Sequence, residues 1–431
     1  RSYSSNEVEF TGQIYEPPLQ YHYLKRPYEV VAATATEVPR PVYLDAAGRP
    51  LPADVAPDRI AFSDYVIRIQ PGIRYQPHPA FARGTDGEFL FHQLGAEQLA
   101  DKYSLRDFPA TGSRELVAED YVNAIKRLAH PRLHSPIFGL MSEYIVGLTD
   151  LAASLKAKDK TAGDWLDLRH EPLAGVVALD RYTYRIRVKG RYPQFIYWLT
   201  MHFFAPMPWE AEKFHNQPGM AERNLVLDWY PVGTGPYMLT ENNPNARMVL
   251  ERNPNFHGET YPCEGEAVDA AAGLLKDCGK PLPFIDKVVF TREKEQIPYW
   301  NKFLQGYYDA SGISSDAFDQ AVQMGSGGEA SLSEDMRRQG IRLSTSVAIT
   351  SFYLGFNMLD PVVGGSDAAG RERARKLRQA LAIAIDQEEF ISIFLNGRGV
   401  PAQGPIPPGI FGYREGAEGI NPVVYDWVDG K

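Results

Sequence analysis

A chain of 431 residues, 44% hydrophobic and 23% charged, is long enough for two or three domains with sizeable cores. Its formal net charge of -9 argues against nucleic acid or an anionic lipid surface as partner. No apolar run approaches the length of a membrane-spanning helix, so no transmembrane segment is expected. The chain begins at Arg1 without an apolar leader, a start that a removed signal peptide would also leave. The 24 tyrosines and 6 tryptophans serve cores and strand surfaces first, and together suit a large cleft that holds a varied ligand.

In chain order, residues 1–43 read as an extended opening, dense in aromatics from Glu9 to Tyr23. Pro17 and Pro18 stop any helix there by about Tyr15. Tyr65 to Ile69 reads as a strand, followed by a long polar insertion to about Ser113. Tyr121, Val122, Ile125 and Leu128 have helical spacing, broken by Pro131. Arg181 to Val188 alternates as a strand, and Tyr192 to Phe204 reads as a buried aromatic helix. Pro231 to Gly258 is the most informative stretch. It opens with the tight turn Gly233-Thr234-Gly235-Pro236, with positive φ predicted at Gly235. Tyr237 and Leu239, then Met248 and Leu250, alternate with polar residues as paired strands around the turn Asn242 to Asn245. Arg252-Asn253-Pro254-Asn255 closes the hairpin.

Further on, Phe284 to Phe290 reads as a strand, Leu304 to Asp309 as a helix end, and Ser351 to Asn357 as an apolar strand. Arg373 to Leu395 is the clearest helical stretch, divided by a cap at Asp386. Gly404 to Gly409 forms a proline-stiffened connector. The two cysteines, Cys263 and Cys278, lie in one turn-rich loop from Glu259 to Pro283. They are expected to pair as a disulfide in an oxidising compartment; the alternative is two free thiols in a reducing one.

The sequence carries no His-Glu-x-x-His, no zinc-spaced cluster, no nucleophile elbow and no phosphate-binding loop. Gly233-x-Gly235 lacks the third glycine of a dinucleotide fingerprint and enters a strand. Carboxylate pairs such as Glu293/Glu295 and Glu388/Glu389 read as solvated faces. No enzymatic role, cofactor or metal is expected.

Gly-Thr-Gly-Pro-Tyr, a short strand, a turn, a second strand and Arg-Asn-Pro-Asn-Phe resemble the extracytoplasmic solute-binding proteins of the peptide/nickel type, which serve ABC importers. The arginine-rich helix, the break at Asp386 and the Gly-Pro-Ile-Pro-Pro exit are a second match, while the first 115 residues match more weakly. The resemblance implies an α/β, bilobal, periplasmic-binding-protein-like (type II) fold with an extra small domain. Lobe one would comprise 1–43 and 215–355, the small domain 44–214, and the start of lobe two 356–431. Family members run well past the Pro-Pro connector, so the chain reads as truncated. The second wall of the site, with the carboxylate that grips a peptide's amino group, would then lie beyond Lys431, leaving apolar surface on the Arg373 to Leu395 helices.

The function so implied is extracytoplasmic, periplasmic capture of oligopeptides by a monomer and delivery to the permease subunits of an ABC transporter. The alternatives are a same-fold receptor for nickel, oligosaccharide or opine, and a hydrolase without a linear signature. By position, the ligand-lining candidates are Glu7 and Glu9, then Ser142, Glu143 and Tyr144, then Ser314, Ser315 and Asp316, and finally Tyr353. Each has the simpler reading of a surface polar group or core tyrosine.

Overall fold

The computed structural model describes residues 5–159, 165–313, 315–324, 330–345, 348–402 and 404–414. The chain divides into two units, Arg1–Arg292 and Glu293–Lys431. The expected 44–214 segment lies wholly in the first, and the 215–355 segment is divided between them.

The first unit opens with a helix, α1 (Ser5–Ile14), so the opening is not extended throughout, and the helix ends by Tyr15 as expected. It stops just before Tyr15-Glu16-Pro17, because proline disfavours helical backbone at the residue before it. Strands β1 (Leu19–Tyr21) and β2 (Val30–Ala32) pair antiparallel. Next, β3 (Val42–Leu44), β4 (Phe62–Arg68), helix α2 (Ala118–Lys126), β5 (Val176–Asp180) and β6 (Thr183–Lys189) build the main layer. Its sheet is antiparallel in the order β3-β4-β6-β5. Alternation in β6 turns Tyr184, Ile186 and Val188 inward, where they join Tyr65 and Ile67 of β4 and Tyr121, Val122 and Ile125 of α2. Tyr121 and Tyr184 stack with centroids 5.0 Å apart, and the Tyr121 hydroxyl bonds Thr34.

Arg114 ties the start of α2 to helix α3 (Trp209–His215). Its Nη1 and Nη2 donate to Asp120 at 2.7 Å, and its Nε and Nη2 donate to Glu210 at 2.6 and 2.7 Å. Both carboxylates are buried, so this guanidinium is the group that makes their burial tolerable.

Tyr192 to Phe204 is not one helix. Only Phe195–Trp198 is α-helical, with a 3₁₀ turn at His202–Phe204. The Leu199 carbonyl instead accepts the amide of Leu19 at the start of β1, and the aromatic-rich sequence is a weak helix former. The expected hairpin forms as β7 (Tyr237–Asn243) and β8 (Arg247–Arg252), and β9 (Lys287–Thr291) joins it in the order β9-β8-β7. Cys263 and Cys278 are disulfide-bonded, closing the loop that leads to β9.

In the second unit, α4 (Gln296–Leu304) ends at Gly306, whose φ of 80° suits glycine. Strands β10 (Val322–Met324) and β11 (Ala330–Leu332) pair, and a small core gathers Trp300, Phe318, Leu332 and Met336. Helices α5 (Ala368–Ala384) and α6 (Gln387–Leu395) are separated by Asp386, whose carboxylate accepts the Glu389 amide. Ser351 to Asn357 does not form the expected strand, since no described segment pairs with it. Its Phe352 and Tyr353 side chains are exposed.

Candidate functional site

The hairpin turn and the end of α1 are fitted to each other by backbone contact. A Cβ on Gly233 would lie 1.9 Å from the Ile14 carbonyl oxygen, and one on Gly235 would lie 2.6 Å from that of Gln13. The Gly235 amide donates to Ile14 O at 2.9 Å. Neither glycine has a left-handed φ, so the expectation for Gly235 is corrected: glycine is required there by close approach and not by φ. Asn253, from the closing Arg-Asn-Pro-Asn, locks the same turn. Its Nδ2 donates to Gly235 O at 2.9 Å and its backbone N to Pro236 O at 2.8 Å.

Against this frame lies a cleft of about 320 Å³ at the C-terminal end of α1. Its walls include Tyr15, Tyr21, Tyr237 and Phe256, with the carboxylates of Glu16 and Glu259. Glu16 Oε1 lies 2.9 Å from His257 Nε2, and Glu259 Oε1 accepts from Gln20 Nε2 at 2.9 Å. Burial alone would lower the His257 pKa, but the hydrogen bond and charge of Glu16 outweigh it and hold the pKa above its ordinary value. Burial raises the Tyr21 phenol.

A second concavity, of about 510 Å³, lies beside α2. Its charges are balanced from within. Arg114 serves Asp120 and Glu210, Arg181 serves Glu115 at 2.7 Å, and Arg169 serves Asp167 at 2.6 Å while lying 4.0 Å over the Trp209 ring.

Residues 111–426 match the family of bacterial extracellular solute-binding proteins, family 5 (middle). The chain belongs to this family. It is 23% identical over 319 residues to the periplasmic oligopeptide-binding protein OppA of Salmonella typhimurium, covering 73% of this chain and 46% of that protein. Over 241 residues it is 25% identical to the probable ABC transporter periplasmic-binding protein SapA of Escherichia coli, covering 56% and 35%. The chain therefore spans less than half the length of these two relatives. Among solved structures, the periplasmic binding protein DppA from Helicobacter pylori in complex with the peptide STSA superposes with a TM-score of 0.56 at 18% identity. That match covers 99% of this chain and 60% of DppA. The fold is accordingly the α/β, type II periplasmic-binding-protein fold. No helix among the described residues is long and apolar enough to cross a membrane.

The candidate ligand residues of this family 5 chain fall on separate elements. Glu7 and Glu9 are exposed on α1. Ser142, Glu143 and Tyr144 share the last turn of the helix Phe138–Tyr144, with Ser142 Oγ donating to Gly139 O and Tyr144 stacked on Tyr192 at 4.0 Å. In the second unit, Ser315 and Asp316 begin a 3₁₀ turn, Asp316 is exposed, and Tyr353 is 88% exposed. Ser314 lies outside the described residues. None of the described candidates is among the lining residues of either concavity described above. Sequence reasoning missed the groups that do line the cleft, Glu16, Gln20 and Glu259, because 239 residues separate Gln20 from Glu259 and no local pattern joins them.

Proposed function

We propose that this family 5 protein is the substrate-binding component of an ABC importer and captures oligopeptides outside the cytoplasm. The family match over residues 111–426 carries this reading. The name of the Salmonella relative as an oligopeptide-binding protein and the peptide in the DppA complex support it. In this reading binding needs no catalytic group: backbone amides and carbonyls pair with an extended peptide, side-chain pockets stay permissive, and closure around the ligand is the signal to the permease. Glu7 and Glu9, Ser142, Glu143 and Tyr144, Ser314, Ser315 and Asp316, and Tyr353 are the proposed ligand contacts. The protein would act as a periplasmic monomer.

Calorimetric titration tests it. A pool of tri- to pentapeptides is expected to bind saturably, with the negative heat-capacity change of apolar burial. Saturable binding of nickel, a maltooligosaccharide or an opine, with none of the peptide pool, would replace the peptide by that ligand.

A further inference from the structure

The cleft at the end of α1 has a charge pattern that the peptide-capture reading does not use. Two carboxylates line it, and neither lysine nor arginine does. Glu16 is hydrogen-bonded to the His257 imidazole. Among the described residues Glu259 makes no ion pair: one oxygen accepts from the neutral Gln20 amide, and its side chain is exposed. The nearby Lys25 is already engaged, at 2.7 Å from Glu264 and 3.3 Å from Glu29. The remaining walls include the rings of Tyr15, Tyr21, Tyr237 and Phe256, the His202 imidazole, and the Gln20 and Thr200 side chains.

We infer that this cleft is a binding site for an aliphatic organic cation, an alkylammonium whose charged head meets Glu259 and whose chain lies against the aromatic walls. The chemistry follows from what each wall offers. A carboxylate with a spare oxygen accepts a charge-assisted hydrogen bond, and the Gln20 side-chain carbonyl and Thr200 hydroxyl are further acceptors for an ammonium's three N–H groups. Aromatic faces attract cations through their quadrupole and bury the alkyl chain. An anion meets two carboxylates and no lining lysine or arginine to offset them, so it is disfavoured. A fully apolar ligand would fill the cleft but make no use of the Glu259 carboxylate. The cleft belongs entirely to the first unit, and none of the described peptide-contact candidates lines it, so either idea can fail alone.

The probes are n-butylammonium chloride and sodium butyrate, titrated into the protein at constant ionic strength and followed by two-dimensional NMR or calorimetry. Butylammonium is expected to bind saturably, shifting resonances of Gln20, Tyr21 and Glu259, while butyrate does not. Glu259→Gln is expected to weaken it about tenfold, the worth of one charge-assisted hydrogen bond. Tyr21→Ala is expected to weaken it severalfold. Both side chains are substantially exposed, so the variants should keep the wild-type melting temperature, which is measured alongside. The site is refuted by absent or non-saturable butylammonium binding, by butyrate binding equally well, or by a folded Glu259→Gln that binds like wild type.

Discussion

The two units use their large apolar residues in opposite ways. In the first, Tyr65, Tyr75, Tyr121, Tyr184, Phe195, Phe204 and Phe214 are almost wholly removed from water. In the second, Trp300 and Phe318 are buried, while Phe352, Tyr353, Leu354, Phe390, Ile393 and Phe394 stay exposed. Composition does not separate Arg181 to Val188 from Ser351 to Asn357, since both are strand-like. What separates them is a ladder: β6 has β4 on one side and β5 on the other, and residues 351–357 pair with no described strand. Strand propensity is largely the energy of fitting a neighbour, so a segment without one has little to gain by pleating.

Acid should separate the units most strongly. All nine histidines lie at or before His257, within the first unit. Burial holds His78 well below its usual pKa and pushes His92, His130 and His215 down to about 4. A depressed histidine pKa means that the unfolded chain binds more protons between pH 6.5 and 4, so stability falls as pH falls through that window. The slope is about 1.4 kcal/mol per pH unit for each proton taken up. His257 acts oppositely: its raised pKa adds stability that is present below pH 6.5 and lost as pH rises through the folded value. Hydrogen exchange, corrected for its intrinsic pH dependence, should show α2 and α3 losing protection by pH 4.5 while α5 and α6 change little. Equal loss in both would break the contrast.

The ion pairs give the next largest effect. Arg114→Met strands Asp120 and Glu210 without their cation and should cost about 3–5 kcal/mol in chemical denaturation. Glu372→Gln in the second unit breaks an exposed, solvent-screened pair with Arg375 and should leave the denaturation midpoint nearly unchanged. Reduction of Cys263–Cys278 should cost ~3 kcal/mol in the chain-entropy picture. Thiol labelling of the unfolded, unreduced protein should find no free thiol, and two would contradict the bond.

Gly233→Ala should cost about 1–3 kcal/mol or more, because its methyl meets the Ile14 carbonyl, which is backbone and cannot swing away. Tyr353→Ala should change stability by about 0.5 kcal/mol or less, as expected for a side chain 88% exposed. If its melting temperature fell as far as that of Gly233→Ala, residues 351–357 would be held by contacts not described above.

The same two positions show how much of the molecule was legible in the sequence. The importance of the Gly-Thr-Gly-Pro turn was readable, and the disulfide, the hairpin and the cap at Asp386 follow from local chemistry. The reason for glycine was not readable, since contact with Ile14 joins residues more than 200 positions apart. Tyr192 to Phe204 misled for a related reason: its aromatic spacing suits a buried helix, but a distant amide, Leu19 N, claims the Leu199 carbonyl. Of the site, the sequence displayed the family and hid the cleft, because Glu16, Gln20 and Glu259 are ordinary surface residues until the fold assembles them.

Peptide capture is decided by mass spectrometry of small molecules released from natively purified protein on denaturation. A mixture of short peptides, absent from a matched control purification, is the expected result. A single non-peptide species, such as an oligosaccharide, an opine or a nickel complex, at stoichiometric yield with no peptides would contradict it.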